Sequence, residues 1–176
     1  MKNNIIGRKS EQDTLARIYE SRQSEFVAVC GRRRVGKTFL VREYFEQEMV
    51  FQTSGLAGGN TQEQLKNFFY TLRRYDRNVT SVPHDWLDAF EMLISYLDSL
   101  NGIERKVIFL DELPWMDTAG SNFISALEHF WNGWASARRD IVLIVCGSAT
   151  SWMMDKLINN HGGLYGRLTH RLFLQP

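Results

Sequence analysis

Apolar and polar positions along the chain fall into two alternating patterns. Short apolar runs stand at residues 26–30, 49–53, 107–110 and 141–146, with a fifth, more alternating run at 168–174. Between them the apolar positions recur at helical spacing. Residues 61–75 place Leu65, Phe68, Phe69 and Leu72 on one face, behind a Thr61-x-x-Gln64 capping box. Residues 84–100 follow Pro83, stack Trp86, Phe90, Leu93, Leu97 and Leu100, and stop at Asn101-Gly102. Residues 122–137 repeat the pattern with Phe123, Leu127, Phe130, Trp131 and Trp134. Strands alternating with helices predict an α/β fold with a parallel sheet. The second and fourth runs read as strands covered on both faces and the fifth as an edge strand. Residues 55–60 read as a loose surface loop. No repeat, low-complexity tract or long linker divides residues 1–176, so one domain is expected.

Composition narrows the class without supplying chemistry. With 21 basic and 20 acidic side chains the formal charge is +1, which gives no global field for nucleic acid or an acidic membrane. No apolar run approaches the roughly 18 residues needed to span a bilayer. The opening ten residues are polar and lack an apolar stretch of signal-peptide type. Cys30 and Cys146 are too few for a disulfide framework, which points to a reducing cytoplasm.

Chemistry enters directly after the first predicted strand. Gly31, Arg32, Arg33, Arg34, Val35, Gly36, Lys37 and Thr38 spell G-x-x-x-x-G-K-T, and Phe39 opens a helical pattern running to Gln47. The glycines let the backbone curl so that successive N–H groups face a phosphate chain, and the helix adds its N-terminal amides. Lys37 would lie along the β- and γ-phosphates, and the Thr38 hydroxyl would ligate Mg²⁺. Arg32, Arg33 and Arg34 bring charge near the phosphates, touch a partner subunit, or stand solvated at the loop tip.

The third apolar run ends in two adjacent carboxylates, Asp111 and Glu112. Asp111 at a strand's carboxyl end can hold Mg²⁺ beside the phosphates, and Glu112 can polarise an attacking water. A water-activating base favours ATP hydrolysis over transfer to an acceptor. The fourth run ends in Gly147-Ser148-Ala149-Thr150, where Ser148, or else Thr150, would contact the water or the γ-phosphate, unless it merely caps the following helix. Arg167 and Arg171 follow a glycine turn at Gly162-Gly163 and would reach the γ-phosphate of a neighbouring subunit or stand free at the surface.

Together these motifs resemble the AAA+-type P-loop ATPases of bacteria and archaea, in the branch near the signalling (STAND) and origin-recognition-like ATPases. Beyond the loop, the likeness rests on Ile6-Gly7-Arg8 with Glu11, on Asp-Glu-Leu-Pro-Trp at 111–115, on Ser-Ala-Leu-Glu-His-Phe-Trp at 125–131, and on Gly147-Ser148. It covers almost the whole chain. The resemblance implies a three-layer core with sheet order 5-1-4-3-2, helices on both faces and ATP at the carboxyl ends of the strands. It implies that Gly7 and Arg8 lie near the adenine. It also implies that residues 1–176 are the N-terminal core of a longer protein, with a helical lid and a C-terminal domain outside this chain. Weak turnover, self-association or docking of that further domain are the corresponding expectations.

Other features yield less. His84, His129, His161 and His170 share no metal-ligand spacing. Cys30 and Cys146 end two strands expected to be neighbours and read as small buried residues rather than a redox pair. Four large rings, Trp115, Phe130, Trp131 and Trp134, exceed what one face is expected to bury, so at least one of the tryptophans should be exposed. The competing functional classes are a Mg²⁺-dependent ATPase, a nucleotide-gated switch with negligible turnover and, last, a P-loop phosphotransferase.

Overall fold

The computed structural model describes residues 4–176, so the first three residues of the polar opening lie outside the described residues. Five strands, β1 (Glu25–Cys30), β2 (Met49–Ser54), β3 (Lys106–Asp111), β4 (Ile141–Gly147) and β5 (His170–Phe173), form one sheet in the order β2-β3-β4-β1-β5. Every pairing is parallel. This is the expected order read from the other edge.

Helices cover both faces because the central strands alternate apolar side chains in two directions. Phe26, Ala28, Ile108, Leu110, Leu143 and Val145 pack against α3 (Thr61–Tyr75), α4 (Trp86–Ser99) and α6 (Phe123–Gly133). Val27, Val29, Val107, Phe109, Val142 and Ile144 pack against α1 (Lys9–Glu20) and α2 (Lys37–Tyr44). Two short helices, α5 (Leu113–Met116) and α7 (Thr150–Met153), follow β3 and β4. Among the described residues no helix is long and apolar enough to cross a membrane.

Local differences from the sequence reading have local causes. β2 is an edge strand, with only Phe51 and Thr53 buried, so it is not covered on both faces as expected. The capping box of α3 sits one residue earlier. Asn60 accepts from the Glu63 amide at 2.9 Å, and Glu63 accepts from the Asn60 amide at 3.1 Å. Gln64 is thereby freed to turn back onto the 55–60 loop, where Nε2 donates to the Leu56 carbonyl at 2.7 Å and Oε1 accepts from its amide at 2.9 Å. That loop lies at the surface but is pinned, not loose. Helix α6 ends at Gly133 and continues only as a single 3₁₀ turn, Ala135–Ala137, because Trp134 leaves helical geometry. α1 was not anticipated; its one signal is the spacing of Leu15, Ile18 and Tyr19 in an otherwise polar stretch.

Cys30 and Cys146 are both buried, yet they belong to opposite core layers. Val29 pairs with Cys146 and Cys30 with Gly147, so the two thiols leave the sheet from opposite faces. A redox pair is sterically excluded.

Candidate functional site

The loop joining β1 to α2 curls over the carboxyl end of the sheet. Arg34 and Gly36 adopt left-handed backbone conformations, with φ of 66° and 89°. Gly31 is held tightly too. A Cβ there would lie 2.7 Å from the Leu174 carbonyl oxygen, so the residue after β5 closes down on the start of the loop. Lys37, buried at the head of α2, donates to the carbonyls of Gly31 at 2.8 Å and Arg32 at 2.7 Å. Its ammonium is thereby held under the loop, satisfied by two carbonyl acceptors.

The phosphate loop and the end of β3 meet through Thr38, whose hydroxyl donates to Asp111 Oδ2 at 2.6 Å. The other carboxylate oxygen, Oδ1, accepts from the Glu112 amide at 2.8 Å. Glu112 itself sits at φ 49°, a left-handed conformation costing a non-glycine residue about 1–2 kcal/mol. That turn sends the chain abruptly out of the strand and into α5, with the Glu112 side chain facing the cleft.

The cleft measures about 530 Å³ and is lined by the loop residues Arg33, Arg34, Gly36, Lys37, Thr38 and Phe39, facing Glu112, Trp115 and Ser148, with Gly55 and Ala57 closing it from the β2 side. Ser148, directly after β4, does not cap α7, whose first turn has no side-chain cap. Thr150 is the first residue of α7 and does not line the cleft. Arg32, Arg33 and Arg34 are all exposed. On the other side of the loop, Arg8 donates to the Val35 carbonyl at 3.0 Å and pairs with Glu11 at 3.3 Å. Gly7, at φ 78°, lets the chain enter α1 at this point.

One copy of the chain leaves the reach of the trailing arginines to a neighbouring subunit open, and it exposes one tryptophan as expected. Arg167 and Arg171 are exposed, and neither lines the cleft. Of the tryptophans, Trp131 is buried and Trp134 packs at 5.5 Å on Phe130, while Trp115 is 37% exposed as a wall of the cleft. Gly55, Ala57 and Trp115 are cleft residues that carried no recognisable signal as such in the sequence.

The thiols near the site are inert. Burial pushes Cys30 up to about 11, and burial together with the Asp111 carboxylate raises Cys146 further still. For a divalent cation the donor set is suitable. A hydroxyl and a carboxylate, both hard oxygen ligands, converge in Thr38 and Asp111. Among the described residues no group of three His, Cys, Asp or Glu forms a competing site.

Residues 20–152 match the family model described as an AAA domain. The chain belongs to the AAA domain family. It is 26% identical over 172 residues to an uncharacterized protein of Methanocaldococcus jannaschii, covering 98% of this chain and 36% of that protein. An uncharacterized ATP-binding protein of the same organism is 33% identical over 50 residues. The fold is similar to the Walker-type ATPase PABY2304 of Pyrococcus abyssi, with TM-score 0.67, 17% identity and coverage of 98% and 54% of the two chains. It is similar also to the ORC2 protein of Aeropyrum pernix, solved in ADPNP–ADP complexes, with TM-score 0.66, 18% identity and coverage of 98% and 48%. The AAA domain described here thus spans about a third of its curated relative and about half of these solved structures.

Proposed function

We propose that residues 1–176 form the Mg-ATP-binding and hydrolysing core of a longer AAA+ ATPase working in the cytoplasm. The observation that carries this reading is the 2.6 Å contact of Thr38 with Asp111, with Glu112 next in the chain and facing the same cleft. Lys37 exchanges its two loop carbonyls for phosphate oxygens, and the backbone amides of the loop hold the phosphate chain. Thr38 and Asp111 hold Mg²⁺, which when bound neutralises phosphate charge. Glu112 accepts a proton from a water as its oxygen attacks the γ-phosphorus. The bond to the bridging oxygen breaks, leaving ADP and inorganic phosphate. Ser148 orients that water or the γ-phosphate from the neighbouring strand. Gly7 and Arg8 hold the loop from the adenine side, and Arg167 acts only across a contact between subunits.

A second reading is favoured by one observation: among the described residues, apart from Arg33 and Arg34 in the loop, no arginine lines the cleft. Without an arginine from outside the loop to add to Lys37 in the transition state, the domain would act as a nucleotide-gated switch that turns over rarely. Nucleotide binding and phosphate release by wild type, Lys37→Ala and Glu112→Gln separate the readings. The hydrolase loses binding with Lys37→Ala, and keeps binding but loses turnover with Glu112→Gln. Tight binding with negligible phosphate release in wild type supports the switch, and undiminished turnover in Glu112→Gln removes Glu112 as the base.

A further inference from the structure

The turn that carries Glu112 leaves β3 between two glycines on the flanking strands. On the β2 side, a Cβ at Gly55 would lie 2.5 Å from the Glu112 carbonyl oxygen and 2.9 Å from Trp115 Cβ. On the β4 side, a Cβ at Gly147 would lie 2.6 Å from Pro114 Cδ and 2.9 Å from its Cγ. Neither glycine has a left-handed backbone, so conformational freedom does not explain its presence. Both are required by close approach. The Gly55 amide also donates to the Asp111 carbonyl at 3.0 Å, tying β2 to the root of the turn.

We propose that Gly55 and Gly147 are positioning residues for hydrolysis, two missing side chains forming the slot that aims Glu112 into the cleft. The inference rests on the reading of Glu112 as the base. A methyl group at Gly55 meets backbone, so the Glu112 peptide itself must move, by about 0.9 Å to regain ordinary contact. A methyl at Gly147 meets the proline ring, and so pushes α5 and Glu112 from the other side. Packed turns cannot absorb this where they stand, and displacements of this size at a base are costly in rate while leaving remote phosphate contacts alone.

The test measures phosphate release and nucleotide affinity of the 176-residue chain carrying Gly55→Ala or Gly147→Ala. Expected are a fall in kcat of about 100-fold and a change in nucleotide affinity below about threefold. Gly133→Ala, where the new Cβ would find nothing nearer than 3.7 Å, should hydrolyse like wild type. The two sites should respond differently to relief. Pro114→Ala removes the ring atoms facing Gly147, so Pro114→Ala with Gly147→Ala should regain at least about tenfold in kcat, whereas Pro114→Ala cannot rescue Gly55→Ala. If Gly147→Ala does not fold, the double variant must restore both folding and turnover. Normal turnover in both glycine variants alongside a dead Glu112→Gln overturns the slot but not the base. If wild type releases no phosphate, the readout becomes the Glu112 amide and Trp115 indole resonances. These must shift in Gly55→Ala but not in Gly133→Ala, and their constancy overturns the proposal.

Discussion

Thr38 and Asp111 stand 73 positions apart in the chain, and a 2.6 Å hydrogen bond joins them across the carboxyl end of the sheet. The bond ties the first turn of α2 to the last residue of β3, and both of its oxygens are the donors a divalent ion would take. Thr38→Ala and Asp111→Asn should therefore weaken ATP binding by about tenfold or more when Mg²⁺ is present, and much less in chelator. Titration with and without Mg²⁺ checks this, and equal losses under both conditions would exclude metal binding at the pair.

At the opposite end of the sheet, Asp140 accepts from Lys106 at 2.7 Å and from Arg138 at 2.7 and 2.8 Å. Burial opposes its ionisation, but the hydrogen bonds from Arg138 and Lys106 outweigh it and lower the carboxyl from 3.8 to about 2. A folded value below the unfolded one means the stabilisation is present above pH 3.8 and is lost as pH falls through about 2. Asp140→Asn should cost about 1–2 kcal/mol at neutral pH, allowing for partial exposure, and should flatten the acid limb of the stability curve. Chemical denaturation across that range is the measurement.

Arg105 is buried beneath α1 and donates to the carbonyls of Ile18, Gln23 and Arg139 at 2.9, 2.8 and 2.7 Å. One guanidinium thus joins α1, the turn before β1 and the turn before β4. Arg105→Ala strands three acceptors and should destabilise by about 2–4 kcal/mol while leaving nucleotide affinity unchanged. Arg105→Lys should recover only part of the loss, since an ammonium lacks the planar fork. A full recovery by lysine would show that charge, not the fork, is what the site needs.

Cys30 and Cys146 are buried on opposite faces with raised thiol pKa values. Neither should react with a thiol-specific disulfide reagent in the folded chain at pH 8, and both should react once guanidinium unfolds it. Oxidation should yield no intramolecular disulfide in the native state. A fast-reacting native thiol would contradict the packing.

The phosphate loop and the paired carboxylates were legible in the chain because each depends on local spacing, whereas the sheet order was implied only by the family resemblance that those motifs carry. A glycine-rich turn between strand and helix, or an apolar run ending in two acids, carries its own geometry wherever it is placed. The same holds for α3, whose bounds follow from Leu65, Phe68 and Leu72, although its cap is Asn60 with Glu63 and Gln64 instead holds Leu56. What required tertiary structure were relations between distant segments. Gly55 reads as the first residue of a loop, and only the adjacency of β2 to β3 shows that Glu112 lies against it. The opposed directions of Cys30 and Cys146 depend on a one-residue register offset between β1 and β4 that no single strand encodes. Trp115 sits on a helix too short to have a periodicity, so its place in the cleft wall was decided by how α5 packs. Short-range backbone preferences write themselves into sequence; close approach between strands is written only in what each residue leaves empty for its neighbour.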